Sequence, residues 1–369
     1  MAAGRTGSND SLVASFEIRH RRFLDENGEP VAALPASAAE PEFLKTLYRA
    51  MCLTRAFDAK CVNLQRTGRL GTYATSLGQE AVPVGLASAM RERDVLVPSY
   101  REGGAQMWRG VRMEELLIYW GGDERGHAYA DPRVARDLPV CITVGNHALH
   151  AAGVAAALKF RGEDAAAVCV FGDGATSKGD VYEAFNVAGV WSLPVVFVVS
   201  NNRWAISTPL DRQTAARTLA QKGLAGGLRV LQVDGNDVIA VHDAMCEALD
   251  FARRGEGASV IECLTYRLND HNTADDSTRY REPAEVEGRW AYCPLKRMRA
   301  FLAKGGWWSD PEEEALQAEI AASIENSVAR YLAHAATAPS VESMFAHLHA
   351  ELPRAYWSQR EDALAHARA

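Results

Sequence analysis

No stretch of this 369-residue chain approaches the roughly 18 to 20 uncharged apolar residues that a helix needs to cross a bilayer. The best run, Leu193 to Ser200, has eight residues and contains Pro194. A membrane-spanning role is therefore excluded. Positive charge is not in excess either: 40 basic against 47 acidic side chains leave a formal net charge of −7, and no basic face or long Lys/Arg run appears. That balance excludes a phosphate-backbone footprint, so no nucleic acid partner is expected. The seven cysteines, Cys52, Cys61, Cys141, Cys169, Cys246, Cys263 and Cys293, form no CxxC pair and are odd in number. A disulfide-stapled fold is excluded, and reduced thiols in a cytoplasmic protein are expected. Residues 1–40 carry Asp10, Glu17, Asp25, Glu26, Glu29 and Glu40 and no apolar core of signal-peptide length. They do not read as an export or transit sequence. Internal repeats and low-complexity blocks are missing, although alanine is abundant over residues 314–337.

The remaining composition is ordinary: 48% hydrophobic residues can build a sizeable α/β core. Residues 1–40 read as an extended arm with a turn at Glu26-Asn27-Gly28-Glu29-Pro30. From Pro41 to Gly68, apolar residues recur at helical spacing (Phe43, Leu47, Ala50, Phe57, Cys61, Leu64), and Gly68 stands where a C-terminal cap belongs. Short apolar runs then alternate with Ala-rich helical lengths: Val95 to Val97, Val140 to Val144, Ala165 to Phe171, Val195 to Ser200, Val230 to Val233 and Ser259 to Leu264. This predicts an α/β fold, a mostly parallel sheet with helices on both faces. Beyond Arg281 the strands stop. Trp290 to Leu302 reads as one helix, and Ser309-Asp310-Pro311-Glu312 as a capping box opening a helix toward Leu332. Three regions result: an arm (1–40), an α/β domain (41–286) and a C-terminal helical region packed on it (287–369).

The chemistry-bearing segment is Gly172 to Asn202. The strand Ala165 to Phe171 ends in Gly172-Asp173-Gly174, a helix follows from about Asp180, and the strand Val195 to Ser200 ends in Asn201-Asn202. In a right-handed βαβ unit these two strand ends lie side by side at the carboxyl edge of the sheet, where open α/β sheets bind ligands. Asp173 and Asn202 both offer hard oxygens. With a backbone carbonyl, a water and two diphosphate oxygens they complete the octahedron that magnesium requires. A dinucleotide fingerprint fits less well, because the sixth position of Gly172-Asp173-Gly174-Ala175-Thr176-Ser177 is serine and Asp173 would face a pyrophosphate. A plain turn explains the glycines but not the paired asparagines.

GDG followed by 26 residues and then Asn-Asn resembles the motif that binds thiamin diphosphate with magnesium. The flanking residues GDGATSKGDVYEAFNVAGVWSLPVVFVVSNNRWAISTP resemble the α subunit of the heterotetrameric 2-oxoacid dehydrogenase E1 family. In the same order stand Gly68-Arg69-Leu70-Gly71, Gly78-Gln79-Glu80-Ala81, Tyr100-Arg101-Glu102-Gly103-Gly104, Val233-Asp234-Gly235-Asn236-Asp237 and Thr265-Tyr266-Arg267 through Arg279-Tyr280-Arg281. The resemblance implies a thiamin diphosphate-binding fold of the diphosphate type. It implies that Asp173, the Asn202 side chain and the main-chain oxygen of Trp204 hold magnesium. Tyr100 and Arg101 would hold the diphosphate, with Arg267 and His271 approaching from a loop; arginine offers phosphate oxygens a bidentate fork. Val144 aligns beside the pyrimidine and thiazolium rings, Ile142 lies nearby, and Gly174 and Ala175 contribute backbone. His271 is the implied catalytic residue, acting in acyl transfer to the lipoyl group, in a loop that Asp275, Asp276 and Arg279 order.

Besides Trp204, which stands where the family usually has Tyr or Phe and whose backbone role tolerates the change, two positions depart from the family pattern. Lys178 stands where relatives carry Glu or Gln, and Asn272 replaces a serine that regulatory kinases modify in some relatives. By the same resemblance the glutamate that activates the cofactor belongs to a pyrimidine-binding domain, and no second α/β unit of comparable length is visible. An E1 β subunit is thus the expected partner in an α2β2 heterotetramer, with a lipoyl-bearing E2 and a small 2-oxoacid. Pyruvate is the first expectation for the substrate, with branched-chain 2-oxoacids and acetoin as alternatives. A non-catalytic scaffold paralogue and a nicotinamide dehydrogenase are the readings from other classes.

Overall fold

The computed structural model describes residues 11–337, 340–346 and 348–367. The first ten residues of the expected arm lie outside them. Eight strands form: β1 (His20–Arg21), β2 (Val95–Val97), β3 (Ala167–Gly172), β4 (Val195–Asn201), β5 (Trp204–Ala205), β6 (Thr208–Pro209), β7 (Arg229–Asp234) and β8 (Ser259–Leu264). Six of them make one sheet in the order β1-β7-β8-β4-β3-β2, with every neighbouring pair parallel. The other two, β5 and β6, make a small antiparallel hairpin.

The expected parallel sheet flanked by helices is what the chain folds into, and side-chain alternation explains why. Along β3 and β4, Cys169, Phe171, Phe197 and Val199 face the helices His147–Phe160 and Gly179–Val190. Val168, Val170, Val196 and Val198 face the helices Ala81–Ser88 and Val238–Arg253. Both faces are buried, so these strands read as continuous apolar runs rather than as alternating ones.

The helix Pro41–Arg66 ends with Thr67 as cap and Gly68 at φ 70°. Its buried side shares one core with the helices Pro294–Lys304 and Asp310–Ala335, through Leu47, Met51, Phe57, Leu302, Ile320 and Ile324. Ser309 and Glu312 form the capping box of the last of these, with Ser309 N–H and Oγ donating to Glu312 Oε2 at 2.8 and 2.7 Å.

Two local expectations fail. Val140 to Val144 is a loop: Leu138 N–H and Cys141 N–H bond Leu96 O and Pro98 O, but Pro139 between them has no donor to continue a ladder. Trp290 to Leu302 is not one helix. The helix Pro283–Arg289 runs into a 3-10 turn at Trp290–Tyr292, and Pro294 at the first helical position starts a new one.

Candidate active site

The parallel register pairs Gly172 with Ser200. Asp173 and Asn202 therefore emerge from adjacent strand ends at the carboxyl edge of the sheet. There they line a cavity of about 190 Å³, whose wall also includes Tyr100, Arg101, Val144, Gly174, Ala175, Trp204 and His271. Two expected site residues are not on that wall. Ile142 is 53% exposed on the loop beside it, and Arg267 is fully buried behind it.

The strand end separates the two asparagines. Asn201 turns inward and donates from Nδ2 to the buried Glu262 at 2.7 Å. Asn202 turns to the cavity, where Nδ2 donates to Gln79 Oε1 at 3.0 Å and Oδ1 accepts from Trp204 N–H at 3.2 Å. Asp173 is 1% exposed, and burial raises its pKa against hydrogen bonds that favour the charged form, the first from Gln213 Nε2 at 2.7 Å. A carboxylate taken out of water without a paired guanidinium or ammonium is a place for a cation.

Arg203 and Ile206 take left-handed backbone conformations, at φ 74° and 55°, around the β5–β6 hairpin. For residues with a Cβ this conformation is unfavourable and needs outside support. Arg267 supplies it from behind, donating to Trp204 O at 3.2 Å, Ile206 O at 2.8 Å and Tyr280 Oη at 2.9 Å. Burial and the neighbouring Arg101 push its pKa down to about 10. Arg267 thus holds the wall, and the carbonyl expected to meet the metal is already one of its acceptors.

Arg101 donates from Nη1 to Thr75 O at 2.5 Å and from Nη2 to His271 O at 2.8 Å. The same Nη2 lies 3.1 Å from His271 Nδ1, so that nitrogen is the acceptor and the proton sits on Nε2. Burial, Arg101 and Arg267 push His271 down to about 4, which keeps the ring neutral. Tyr100 packs edge-on to His271 and carries Arg101 over its face.

The loop is ordered locally. Asp275 accepts from His271 N–H at 2.8 Å and from the Tyr280 hydroxyl, and Asp276 caps Thr278 N–H. The side chain of Arg279 makes no hydrogen bond or ion pair among the described residues. Thr273 N–H bonds Tyr73 O at 2.9 Å, and Thr273 Oγ1 accepts from Tyr73 N–H at 3.0 Å. Lys178 does not line the cavity; it pairs with Asp180 at 2.9 Å and with the Asn146 side chain.

Sequence reasoning gave no role to Gln79, Glu102 or His147, which also line the cavity. Glu102 accepts from Ser99 Oγ at 2.9 Å and Arg101 N–H at 3.2 Å, and burial raises it to about 7. The Gly78-Gln79-Glu80-Ala81 motif was the available signal for the first of these. For His147 no motif existed.

A parallel α/β sheet with a buried carboxylate, an amide and an arginine converging on a cleft at its carboxyl edge is the architecture of a ligand-binding α/β protein. The chain belongs to the dehydrogenase E1 component family, whose model matches residues 48–340. It is 38% identical over 339 residues to a pyruvate dehydrogenase E1 component subunit alpha from Acholeplasma laidlawii, covering 92% of this chain and 97% of that one. It is 40% identical over 352 residues to a 3-methyl-2-oxobutanoate dehydrogenase subunit alpha from Mycobacterium tuberculosis, covering 95% of each. A pyruvate dehydrogenase E1 component subunit alpha from Bacillus subtilis is 42% identical over 294 residues, or 79% of this chain and 78% of that one. The chain is an E1 α subunit of the 2-oxoacid dehydrogenase type, and this family depends on thiamin diphosphate and works with an E1 β chain and an E2 component.

Proposed function

We propose that this subunit acts in the oxidative decarboxylation of pyruvate, with magnesium joining thiamin diphosphate to Asp173, Asn202 and the Trp204 carbonyl. The observation that carries the metal is the buried carboxylate of Asp173, hydrogen-bonded to no cationic side chain among the described residues, beside Asn202 at the sheet edge. Among the described residues no group of three or more His, Cys, Asp or Glu side chains could cage a metal. That suits magnesium, which keeps few protein ligands and takes the rest from phosphate and water.

Arg101 and Tyr100 would hold the diphosphate, Gly174 and Ala175 would meet the cofactor with backbone, and Val144 would lie against its rings. When bound, the cofactor supplies the electron sink for loss of carbon dioxide. Neutral His271, with its proton on Nε2, is assigned to acyl transfer, where an N–H donor facing the reacting oxygen is useful. The acidic side chains on the cavity wall are Asp173 and Glu102, the second of which accepts from Ser99 and Arg101. By the family resemblance, the glutamate that activates the pyrimidine ring is assigned to the β subunit of an α2β2 assembly. Seven unpaired cysteines suit the cytoplasm as its compartment.

Pyruvate is preferred on the Acholeplasma and Bacillus relatives; the mycobacterial relative keeps branched-chain 2-oxoacids as the second reading. Co-expression with the β chain, followed by carbon dioxide release from pyruvate, branched-chain 2-oxoacids and acetoin, decides. Turnover of pyruvate is expected. Tight cofactor binding with no release from any substrate would favour the scaffold reading, and binding of a nicotinamide instead of thiamin diphosphate would overturn the assignment.

A further inference from the structure

Gln79 is 2% exposed, yet its Nε2 has no hydrogen-bond partner among the described residues although it lies in the wall shared by Arg101, Asp173 and Asn202. A buried donor left without an acceptor is costly, and native proteins keep such groups where a ligand satisfies them. The rest of the residue is firmly held. Gln79 N–H donates to Ser76 O at 2.7 Å, and the next residue, Glu80, accepts from Gly78 N–H at 3.1 Å while pairing with Arg55 Nε at 2.7 Å. The other end of the amide is already used. Gln79 Oε1 accepts from Asn202 Nδ2 at 3.0 Å and from Ser200 Oγ at 3.3 Å. Because Asn202 spends its NH₂ on Gln79, its Oδ1 is the atom left for a cation.

We propose that Gln79 is a positioning residue for both halves of the coenzyme site: its oxygen fixes the Asn202 amide with Oδ1 toward the metal, and its Nε2 donates to an anionic oxygen of the diphosphate. This deepens the thiamin diphosphate and magnesium assignment and rests on it. One amide can do both tasks because its acceptor oxygen and its donor nitrogen diverge from the same carbon. The two roles separate chemically. Methionine has similar length and offers neither end. Glutamate keeps an acceptor for Asn202 but sets an anion against the diphosphate.

The test uses the co-purified αβ assembly. Thiamin diphosphate binding is followed by quenching of tryptophan fluorescence over a series of magnesium concentrations, with thermal melting of the cofactor-free assembly alongside. For Gln79→Met the magnesium concentration giving half-maximal binding is expected to rise about tenfold, while the cofactor-free assembly still forms but melts lower because Asn202 Nδ2 and Ser200 Oγ lose their acceptor. For Gln79→Glu, cofactor affinity is expected to fall by about tenfold or more even at saturating magnesium. Unchanged magnesium and cofactor dependence in Gln79→Met overturns the proposal. Should that variant fail to assemble, Gln79→Glu decides alone, and wild-type affinity in it overturns the proposal equally. Wild-type protein that binds no thiamin diphosphate at any magnesium concentration would instead refute the coenzyme assignment.

Discussion

Asp173, Glu102 and His271 line one cleft, and burial shifts each of them from its ordinary titration against different neighbours. Asp173 has no cationic side chain bonded to it among the described residues, so replacing it removes the proposed metal ligand without breaking an ion pair. Asp173→Ala is expected to abolish magnesium-dependent thiamin diphosphate binding, by calorimetry on the αβ assembly; retained tight binding would refute the ligand assignment. His271 contacts Arg101 through Nδ1 and its carbonyl, and the carbonyl contact survives truncation of the ring. His271→Ala should therefore spare cofactor binding while lowering overall complex activity by about 10²-fold or more, the ordinary worth of a proton-transfer group. Equal loss of both would remove it from the transfer step.

Glu102 is the clearest case of pH linkage. Burial raises its folded pKa to about 7, above the ordinary value of 4.5, so the folded state holds a proton that the unfolded state has already released. Its contribution is complete below the unfolded value and is lost as pH rises through the folded one. Glu102→Gln keeps an acceptor for Ser99 and Arg101 and removes the charge. Its urea midpoint should match wild type near pH 4.5 and exceed it at pH 8.5, by on the order of 2 to 3 kcal/mol of unfolding free energy. Equal pH dependence in the two proteins would show that the carboxyl ionises freely.

At the scale of elements, the segment from Tyr73 to Glu80 connects the first helix to the cofactor cleft and carries no regular structure. It is held by Asp58, which accepts from the Tyr73 hydroxyl at 2.6 Å and from Ser76 N–H and Oγ at 2.7 and 2.8 Å. At its end Gly78 has φ 88°, and a Cβ there would stand 2.6 Å from Tyr266 O and 2.8 Å from Leu268 Cγ. Both the conformation and the close approach demand glycine. Gly78→Ala should cost about 2 to 4 kcal/mol of stability, the sum of left-handed strain and overpacking, and should weaken cofactor binding by displacing Gln79. Chemical denaturation with parallel cofactor titration measures both; a loss below about 0.5 kcal/mol, the scale of a neutral surface change, would mean that the loop simply moves aside.

For the whole molecule, the apolar residues beside the cleft are its unfinished part. Val144 and Ile206 line the cavity, and with Ile142 they are 44%, 54% and 53% exposed, unusual for branched aliphatic side chains. An E1 β chain that closes this cleft would cover them and exclude water from the cofactor. Hydrogen exchange over residues 140–146 and 203–209 is expected to slow when the β chain is added to the isolated α chain. Unchanged exchange there, in a complex that turns over, would place the partner on another face.

The parallel sheet was legible in advance because burial on both faces forces uninterrupted runs such as Val195 to Val199. That Asp173 and Asn202 share one cleft was legible because a βαβ unit must bring its strand ends together. Arg267 was named from the sequence as approaching the diphosphate, yet it stands behind the wall bonded to the carbonyls of Trp204, Ile206 and Asn269. A guanidinium satisfies phosphate and backbone equally well, and only packing selects between them. The same holds for Gln79 and Glu102: their residue types are common, and what singles them out is burial, an orphaned amide in one and a raised pKa in the other. Strand pairing and family order are written in local pattern, whereas desolvation and hydrogen-bond partnership depend on segments far apart in the chain and exist only once it has folded.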